Sequence, residues 1–259
     1  MNFIRVASQK LFFKDIPPKS KPPLATVVLV HGAGGTHLSW RNQFDALSQR
    51  ARVIAVDLPG HGLSEGTGEA MISGYSKYII ELIHSLDLQD VIVGGHSMGG
   101  AIALDIALRN IKPVKGLLLV GTGARLRVLP AIFTLVREDW KLALQGMTAF
   151  MFGPDAPPQL LEEEKHIMEN ISAEVVLKDF TACDSFDIIS DLDSITLPTL
   201  IACGKEDRLT PPKYSEFLHD KIEGSQLVLI EQCGHMAMLE KSREFNDCVS
   251  SFVMSRHAM

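Results

Sequence analysis

The sequence predicts an α/β protein: a mostly parallel central sheet with helices on both faces and a helical insertion in the second half of the chain. Three observations predict it. Short continuous apolar runs alternate with helix-like stretches, as expected of strands buried on both faces. One of these runs leads through Gly95-His96-Ser97-Met98-Gly99 directly into a helical stretch. Between Gly123 and Asp187 the strand signal lapses and short helical patterns replace it.

Taken in order, Phe3 to Val6 and Leu11 to Lys14 read as a pair of early strands. Pro17 to Pro23 is a loop, because proline cannot donate to a ladder. Thr26 to Val30, Arg52 to Val56, Val91 to Val93 and Leu117 to Val120 are the buried strands. Leu38 to Gln49, Tyr75 to Leu86 and Met98 to Arg109 are the helices between them. In the second, Tyr75, Tyr78, Ile79, Leu82, Ile83 and Leu86 fall on one helical face. In the insertion, Ile132, Phe133 and Val136 mark one short helix, and Leu142, Leu144, Met147, Phe150 and Met151 another. Pro130, Gly153, Pro154, Pro157 and Pro158 punctuate them. The alternation then returns, with Thr199 to Cys203 as strand, Tyr214 to Lys221 as helix, Leu227 to Ile230 as strand and a last helix over Ser242 to Met254. Residues 1–122 and 188–259 are thus expected to form one core, and 123–187 an insertion that is not an independent domain.

Composition bounds the partners. With 259 residues, 46% of them hydrophobic, the chain can bury a large core. Its 25 Lys and Arg against 31 Asp and Glu give a net charge of −6, and the basic residues are scattered, which speaks against a nucleic-acid partner. No apolar run reaches the length of a membrane span, and Met1 to Lys10 lacks the continuous apolar core of a secretory leader. Cys183, Cys203, Cys233 and Cys248 show no CxxC spacing and read as free thiols of a reducing compartment. The expectation is a cytoplasmic protein without a membrane partner, monomeric or homodimeric, acting on a small molecule.

The chemistry is legible in three short segments. Gly95-His96-Ser97-Met98-Gly99 stands between a strand and a helix, the context that projects a serine hydroxyl above the sheet on a sharp turn. The helix that follows directs its positive end at the serine, and the Met98 N–H is a natural donor to an oxyanion. A nucleophilic serine needs a base, and the base needs an orienting acid. Asp207 falls in the loop beyond the carboxyl end of the strand Thr199 to Cys203, and His235 in the loop beyond the strand Leu227 to Ile230. Active sites of parallel sheets form at these ends. Glu206 and Asp193 are the alternative acids, although Asp187, Asp191 and Asp193 precede the strand and fall at its other end. The loop His31-Gly32-Ala33-Gly34-Gly35 after the first central strand is expected to supply the second oxyanion donor from Ala33, with Gly34 as the alternative. Gly32 and Gly34 let backbone approach a substrate closely. His31, His61 and His96 neighbour glycines and read as structural or pocket-lining. His37, His84, His166, His219 and His257 read as helix or surface residues.

A competing pattern exists. A strand, Gly32-Ala33-Gly34-Gly35, a helix and then Asp57 imitate a dinucleotide-binding fingerprint, but His37 stands where its third glycine belongs. That reading also leaves Ser97, Asp207 and His235 without a role. Neither a G-x-x-x-x-G-K-[ST] loop nor an H-E-x-x-H motif occurs. No cofactor and no metal are expected.

His31-Gly32, Asp57-Leu58-Pro59-Gly60-His61-Gly62-Leu63-Ser64, Gly95 to Gly100, Asp207 and Gly234-His235 together resemble the α/β-hydrolase superfamily, over nearly the whole chain apart from the insertion. The resemblance implies an α/β-hydrolase fold with a Ser97-His235-Asp207 triad and a structural, non-catalytic Asp57 to Ser64 turn. It also implies that residues 123–187 form a helical cap that roofs the pocket. Serine at the nucleophile position argues against the dehalogenase and epoxide-hydrolase branches, and Ala33 and Met98 fit the perhydrolases poorly. The expected activity is hydrolysis of a small or medium carboxylic ester or lactone through an acyl-enzyme. Carbon–carbon bond hydrolases share the triad and cap and hold an acidic substrate on a cap arginine, for which Arg125, Arg127 and Arg137 are candidates. Carrier-protein methyl esterases dock an acidic partner. Residues 123–187 carry six basic and eleven acidic side chains, which disfavours one here. Ligand receptors with a mobile cap are the non-enzymatic alternative. Phe133, Trp140, Met147, Phe150 and Met151, with His96 below, are expected to line an apolar substrate pocket.

Overall fold

The computed structural model describes residues 2–256; Met1, and His257 among the expected surface histidines, lie outside them. The elements run in chain order β1 (Asn2–Val6), β2 (Gln9–Ile16), β3 (Thr26–Val30), α1 (Phe44–Ser48), β4 (Arg52–Val56), α2 (Ile72–Ser85), β5 (Val91–His96), α3 (Met98–Leu108) and β6 (Val114–Val120). Four helices follow: α4 (Pro130–Glu138), α5 (Trp140–Met151), α6 (Pro158–Glu169) and α7 (Ala173–Ser185). The chain then completes β7 (Thr199–Gly204), α8 (Pro212–Lys221), β8 (Gln226–Ile230), α9 (Ala237–Glu240) and α10 (Ser242–Ser255).

The eight strands form one sheet in the order β1-β2-β4-β3-β5-β6-β7-β8. β1 and β2 pair antiparallel, as does β2 with β4, and every later pairing is parallel. Alternation along the strands divides the core between the two faces. Val28 and Val30 of β3, Ile54 and Val56 of β4, and Leu117 and Leu119 of β6 join one apolar cluster, packed with α2 and α3. Val27 and Leu29, Val53 and Ala55, and Leu118 and Val120 join the other, packed with α10. Successive side chains of a strand point to opposite faces, so a run such as Thr26 to Val30 must be apolar at every position to serve both. α3 is buried from Met98 to Leu104 without a break, which explains a helix with little polar face beside the central strands.

β3 sits at the point where the winding reverses: its neighbours β4 and β5 are reached by connections in opposite directions. The crevice at the carboxyl ends of strands flanking such a point is where ligands of open α/β sheets bind.

Two expectations are corrected. The helix read over Leu38 to Gln49 is a 3₁₀ turn, His37–Trp40, followed by the short α1. Tertiary demands break it: Trp40 is fully buried, and the buried Gln43 amide donates to the Met238 carbonyl at 2.8 Å. The insertion holds four helices, where periodicity had marked two. Pro130 and Pro158 do not interrupt helices there; each opens one, at the first helical position where no N–H is needed. Asp139 and Ser172 cap the other two by accepting from Leu142 N–H and Val175 N–H. The insertion leaves and rejoins the core at one point, where Arg125 bridges Asp187 and Ile188 N–H donates to the Ala124 carbonyl.

Candidate active site

Three loops at the carboxyl edge of the sheet carry the predicted residues. After β5 the backbone turns through Ser97 at φ +54° and ψ −116° into α3. A side chain at that φ is strained by about 1–3 kcal/mol, and the surroundings must hold it there. They do so by close approach. A Cβ on Gly95 would lie 1.9 Å from the Gly99 carbonyl oxygen, and one on Gly99 would lie 2.2 Å from that of Val30. Glycine is required at both positions, which is the physical content of the Gly-x-Ser-x-Gly pattern. Ser97 N–H donates to the Val120 carbonyl (2.9 Å), and the Thr122 hydroxyl donates to the Ser97 carbonyl (2.8 Å), tying the turn to the end of β6. Ser97 and Ala33 keep partial exposure among buried neighbours.

Beyond β7 and β8 the chains stay paired: Lys205 N–H donates to the Ile230 carbonyl and Glu206 N–H to that of Cys233. This brings Asp207 and His235 together. His235 Nδ1 donates to Asp207 Oδ2 at 2.8 Å, with both side chains almost wholly buried. Thr210 donates twice to the same carboxylate, from its N–H to Oδ1 (2.9 Å) and from its hydroxyl to Oδ2 (2.8 Å), and Leu209 N–H adds a third bond. Burial alone would raise the Asp207 carboxyl. The charge and hydrogen bond of His235, with those from Thr210, outweigh burial and hold it below the usual carboxylate range. Gly121 closes the space beneath: a Cβ there would lie 3.1 Å from His235 Nδ1 and 3.2 Å from Asp207 Oδ2. Of the alternative acids, Asp193 is exposed and faces Lys221, and Glu206 makes no bond to His235.

His96, expected at the pocket wall, is buried. Its Nε2 donates to the His235 carbonyl (3.1 Å) and the two rings pack 4.4 Å apart. Burial, and then the neighbouring His235, push His96 well below the ordinary histidine range, so it supports the loop as a neutral ring. On the β3 loop, Gly35 N–H donates to the Gly32 carbonyl (3.1 Å). That turn leaves the Ala33 N–H, at its second position, outside its hydrogen bond. Met98 opens α3, so its N–H has no acceptor within the helix. The Gly34 N–H is already engaged: it donates to Asp179 Oδ2 of α7 at 2.9 Å, which removes Gly34 as the alternative oxyanion donor. Gly32 lies against the elbow, where a Cβ would be 3.2 Å from Ser97 Cβ.

The insertion lies on these loops. Ile171, Val175 and Val176 form a buried apolar cluster against which Trp140, Met147 and Phe180 pack. Val176 and Met168 reach the β3 loop at Gly34, and Val175 reaches Gly60. Phe133 meets Phe180 edge to face at 6.3 Å. Two expected lining residues are placed elsewhere. Phe150 is 52% exposed under the guanidinium of Arg208, 4.8 Å from its ring centre. Met151 packs onto the α10-side core, and its carbonyl accepts the His235 N–H (2.8 Å). Both sit where α5 ends on the histidine loop, a docking point completed by Glu240, which accepts from Gly153 N–H and Gly234 N–H. Arg125 and Arg127 are engaged with Asp187 at the neck, and Arg137 stands over Phe133.

His37, read as a helix or surface residue, opens the 3₁₀ turn, and its half-buried side chain pairs with Asp57 at 2.9 Å; Asp57 also accepts from Leu63 N–H, in a structural turn. Asp179, Phe180, Thr210 and Glu240 were not legible as site residues. Thr210 had a signal, a hydroxyl three residues after the acid; Asp179 had none. Among the described residues, no group of three or more His, Cys, Asp and Glu side chains is placed to hold a metal ion, and no helix is long and apolar enough to cross a membrane.

Comparison with known proteins gives a family match over most of the chain: the family described as "Alpha/beta hydrolase family" matches residues 27–247. A protein of Stutzerimonas stutzeri (strain A1501), named "Putative carbamate hydrolase RutD", is 26% identical over 245 residues, covering 90% of this chain and 92% of its own. Among solved structures, an esterase from Exiguobacterium antarcticum is similar with a TM-score of 0.90 and 26% identity, over 97% of this chain and 98% of its own. A thermophilic esterase is similar with a TM-score of 0.87 and 34% identity, over 98% and 97%.

Proposed function

Because the chain belongs to the alpha/beta hydrolase family, we propose that it is a serine hydrolase cleaving a small or medium carboxylic ester or lactone through an acyl-enzyme. The observation that carries this reading is the buried Asp207–His235 pair at the same sheet edge as a serine held at φ +54°. Ser97 Oγ attacks the carbonyl carbon as its proton passes to His235 Nε2. The N–H groups of Ala33 and Met98 receive the oxyanion. Collapse expels the alcohol, which takes the proton from His235, and water repeats the sequence to release the acid. Asp207 holds His235 in the tautomer with the proton on Nδ1 and stabilises the imidazolium.

The insertion acts as a roof, and Trp140, Met147 and Phe180, packed on its buried apolar cluster, support an uncharged acyl or alkyl group. The two esterases support ester substrates. The engagement of Arg125 and Arg127 with Asp187 speaks against carbon–carbon cleavage of an acidic substrate held on either. A small carbamate is the second reading: its carbonyl accepts the same attack, and the relative named for that activity matches along nine-tenths of the chain.

The test is steady-state hydrolysis of p-nitrophenyl esters of increasing acyl length, beside a small aryl carbamate, by wild type and Ser97→Ala. Wild type is expected to turn over short to medium esters, and Ser97→Ala to lose at least about 10³-fold in kcat. Turnover persisting in Ser97→Ala, or no cleavage of any ester or carbamate, overturns the reading.

A further inference from the structure

Asp179 and His61 are fully buried and face one another, Oδ2 to Nε2, at 2.9 Å. A buried ion pair is a poor source of stability, because desolvating both charges offsets their attraction. Its partners suggest another role. Asp179, from α7 of the insertion, accepts at Oδ1 from the Tyr75 hydroxyl and at Oδ2 from both His61 and the Gly34 N–H. His61 Nδ1 lies 3.0 Å from the Pro59 carbonyl, so both ring nitrogens face acceptors and the ring is an imidazolium. Burial opposes that charge, but Asp179 outweighs burial and holds His61 above the ordinary histidine range.

The His61 ring packs 4.7 Å from that of His31. His31 Nε2 accepts the Leu58 N–H at 3.1 Å, which leaves its proton on Nδ1, 2.8 Å from the Gly32 carbonyl oxygen. That carbonyl belongs to the same planar peptide as the Ala33 N–H, and the two point in opposite directions in a trans peptide. Holding the Gly32 oxygen therefore aims the Ala33 N–H. Asp179 fixes the next peptide through Gly34.

We propose that Asp179 is a positioning residue for the oxyanion site: docked on Gly34, Tyr75 and His61, it holds two successive peptides of the β3 loop so that the Ala33 N–H points at the reacting carbonyl. The site is then complete only with α7 of the insertion in place. This inference rests on the serine-hydrolase reading above.

The test uses Asp179→Asn and Tyr75→Phe, each measured for kcat and KM on a short p-nitrophenyl ester and for inhibition by an alkyl trifluoromethyl ketone. The ketone's tetrahedral adduct carries an oxyanion and so reports the donor site directly. Asparagine turns an amide toward donors where a carboxylate accepted. Asp179→Asn is expected to lower kcat by about 10²-fold with KM within about twofold, and to weaken the ketone in parallel, the scale of a displaced catalytic group. Tyr75→Phe removes one of the three donors and is expected to move both readouts about 3–10-fold in the same direction. A lowered Tm with kcat and ketone affinity unchanged in both variants overturns the proposal; if Asp179→Asn does not fold, an unchanged Tyr75→Phe does so alone. Ser97→Ala runs beside them. If it retains turnover, the underlying hydrolase reading falls and this inference with it. If it is inactive while both variants match wild type, this inference alone falls.

Discussion

At the scale of single residues, the site is a set of side chains whose protonation is decided by their surroundings. Asp207 receives bonds from His235, Thr210 and Leu209 and stays ionised inside the protein. Asp207→Asn is expected to keep the fold and lower kcat by about 10³–10⁴-fold, because an amide can present a donor to Nδ1 and favour the tautomer with the proton on Nε2. Steady-state kinetics beside a Tm measurement check this, and a loss under tenfold contradicts the assigned role. The placement of Ser97, Asp207 and His235 at one edge of the sheet was legible in the sequence because each stands just past an apolar strand, in a loop whose position the strand pattern indicates. Asp179 was not. It is one of eleven acids in the insertion, and its partners Gly34, His61 and Tyr75 lie more than 100 residues away in sequence, where only folding reveals them.

At the scale of elements, the insertion is held by separate charged anchors. α7 docks through Asp179, the end of α5 through Glu240, and α6 through Glu164, which pairs with Arg41 at 2.6 Å. Glu164 is 2% exposed at its side chain and Arg41 22%. Burial raises the Glu164 carboxyl, and the guanidinium only partly offsets it. Arg41→Ala leaves that acid buried and unpaired, a loss of about 3 kcal/mol. The loss is expected locally: amide exchange across 158–169 should speed up while that of β5 and β6 stays unchanged. Uniform acceleration through the sheet instead would mean that insertion and core open as one unit. The number of helices in this region was hidden because Pro130 and Pro158 read as breaks, although at the first turn they are starts. The sheet was legible strand by strand, since buried parallel strands leave unbroken apolar runs; the split at Trp40 to Gln43 was not, because burial of those side chains overrides the local helical pattern.

For the whole molecule, the neighbouring pair His31 and His61, whose rings lie tilted 4.7 Å apart, sets opposite slopes of stability with pH. Burial, and then the charge of His61, push His31 down to about 4. A histidine is near 6.5 in the unfolded chain, so between these values the unfolded state binds more protons and stability rises with pH. The His31 contribution, roughly 3 kcal/mol, is complete above pH 6.5 and gone below about 4. His61, raised, contributes stability that is complete below its unfolded value and is lost as pH climbs through its folded one. Urea unfolding of wild type and His31→Gln from pH 4 to 7 checks the acid limb: the variant should show a flatter slope there, and an identical slope would remove His31 as its source. A last consequence lies in the neck of the insertion. Residues 62 positions apart, Arg125 and Asp187, meet side by side where the insertion leaves and rejoins the core. The sheet is therefore blind to how much chain lies between them. Added length there costs little closure entropy, about 0.6 kcal/mol for each doubling. The helices between residues 125 and 187 can therefore change in length or packing while the strands beneath stay as they are, so long as the few side chains that fasten them survive.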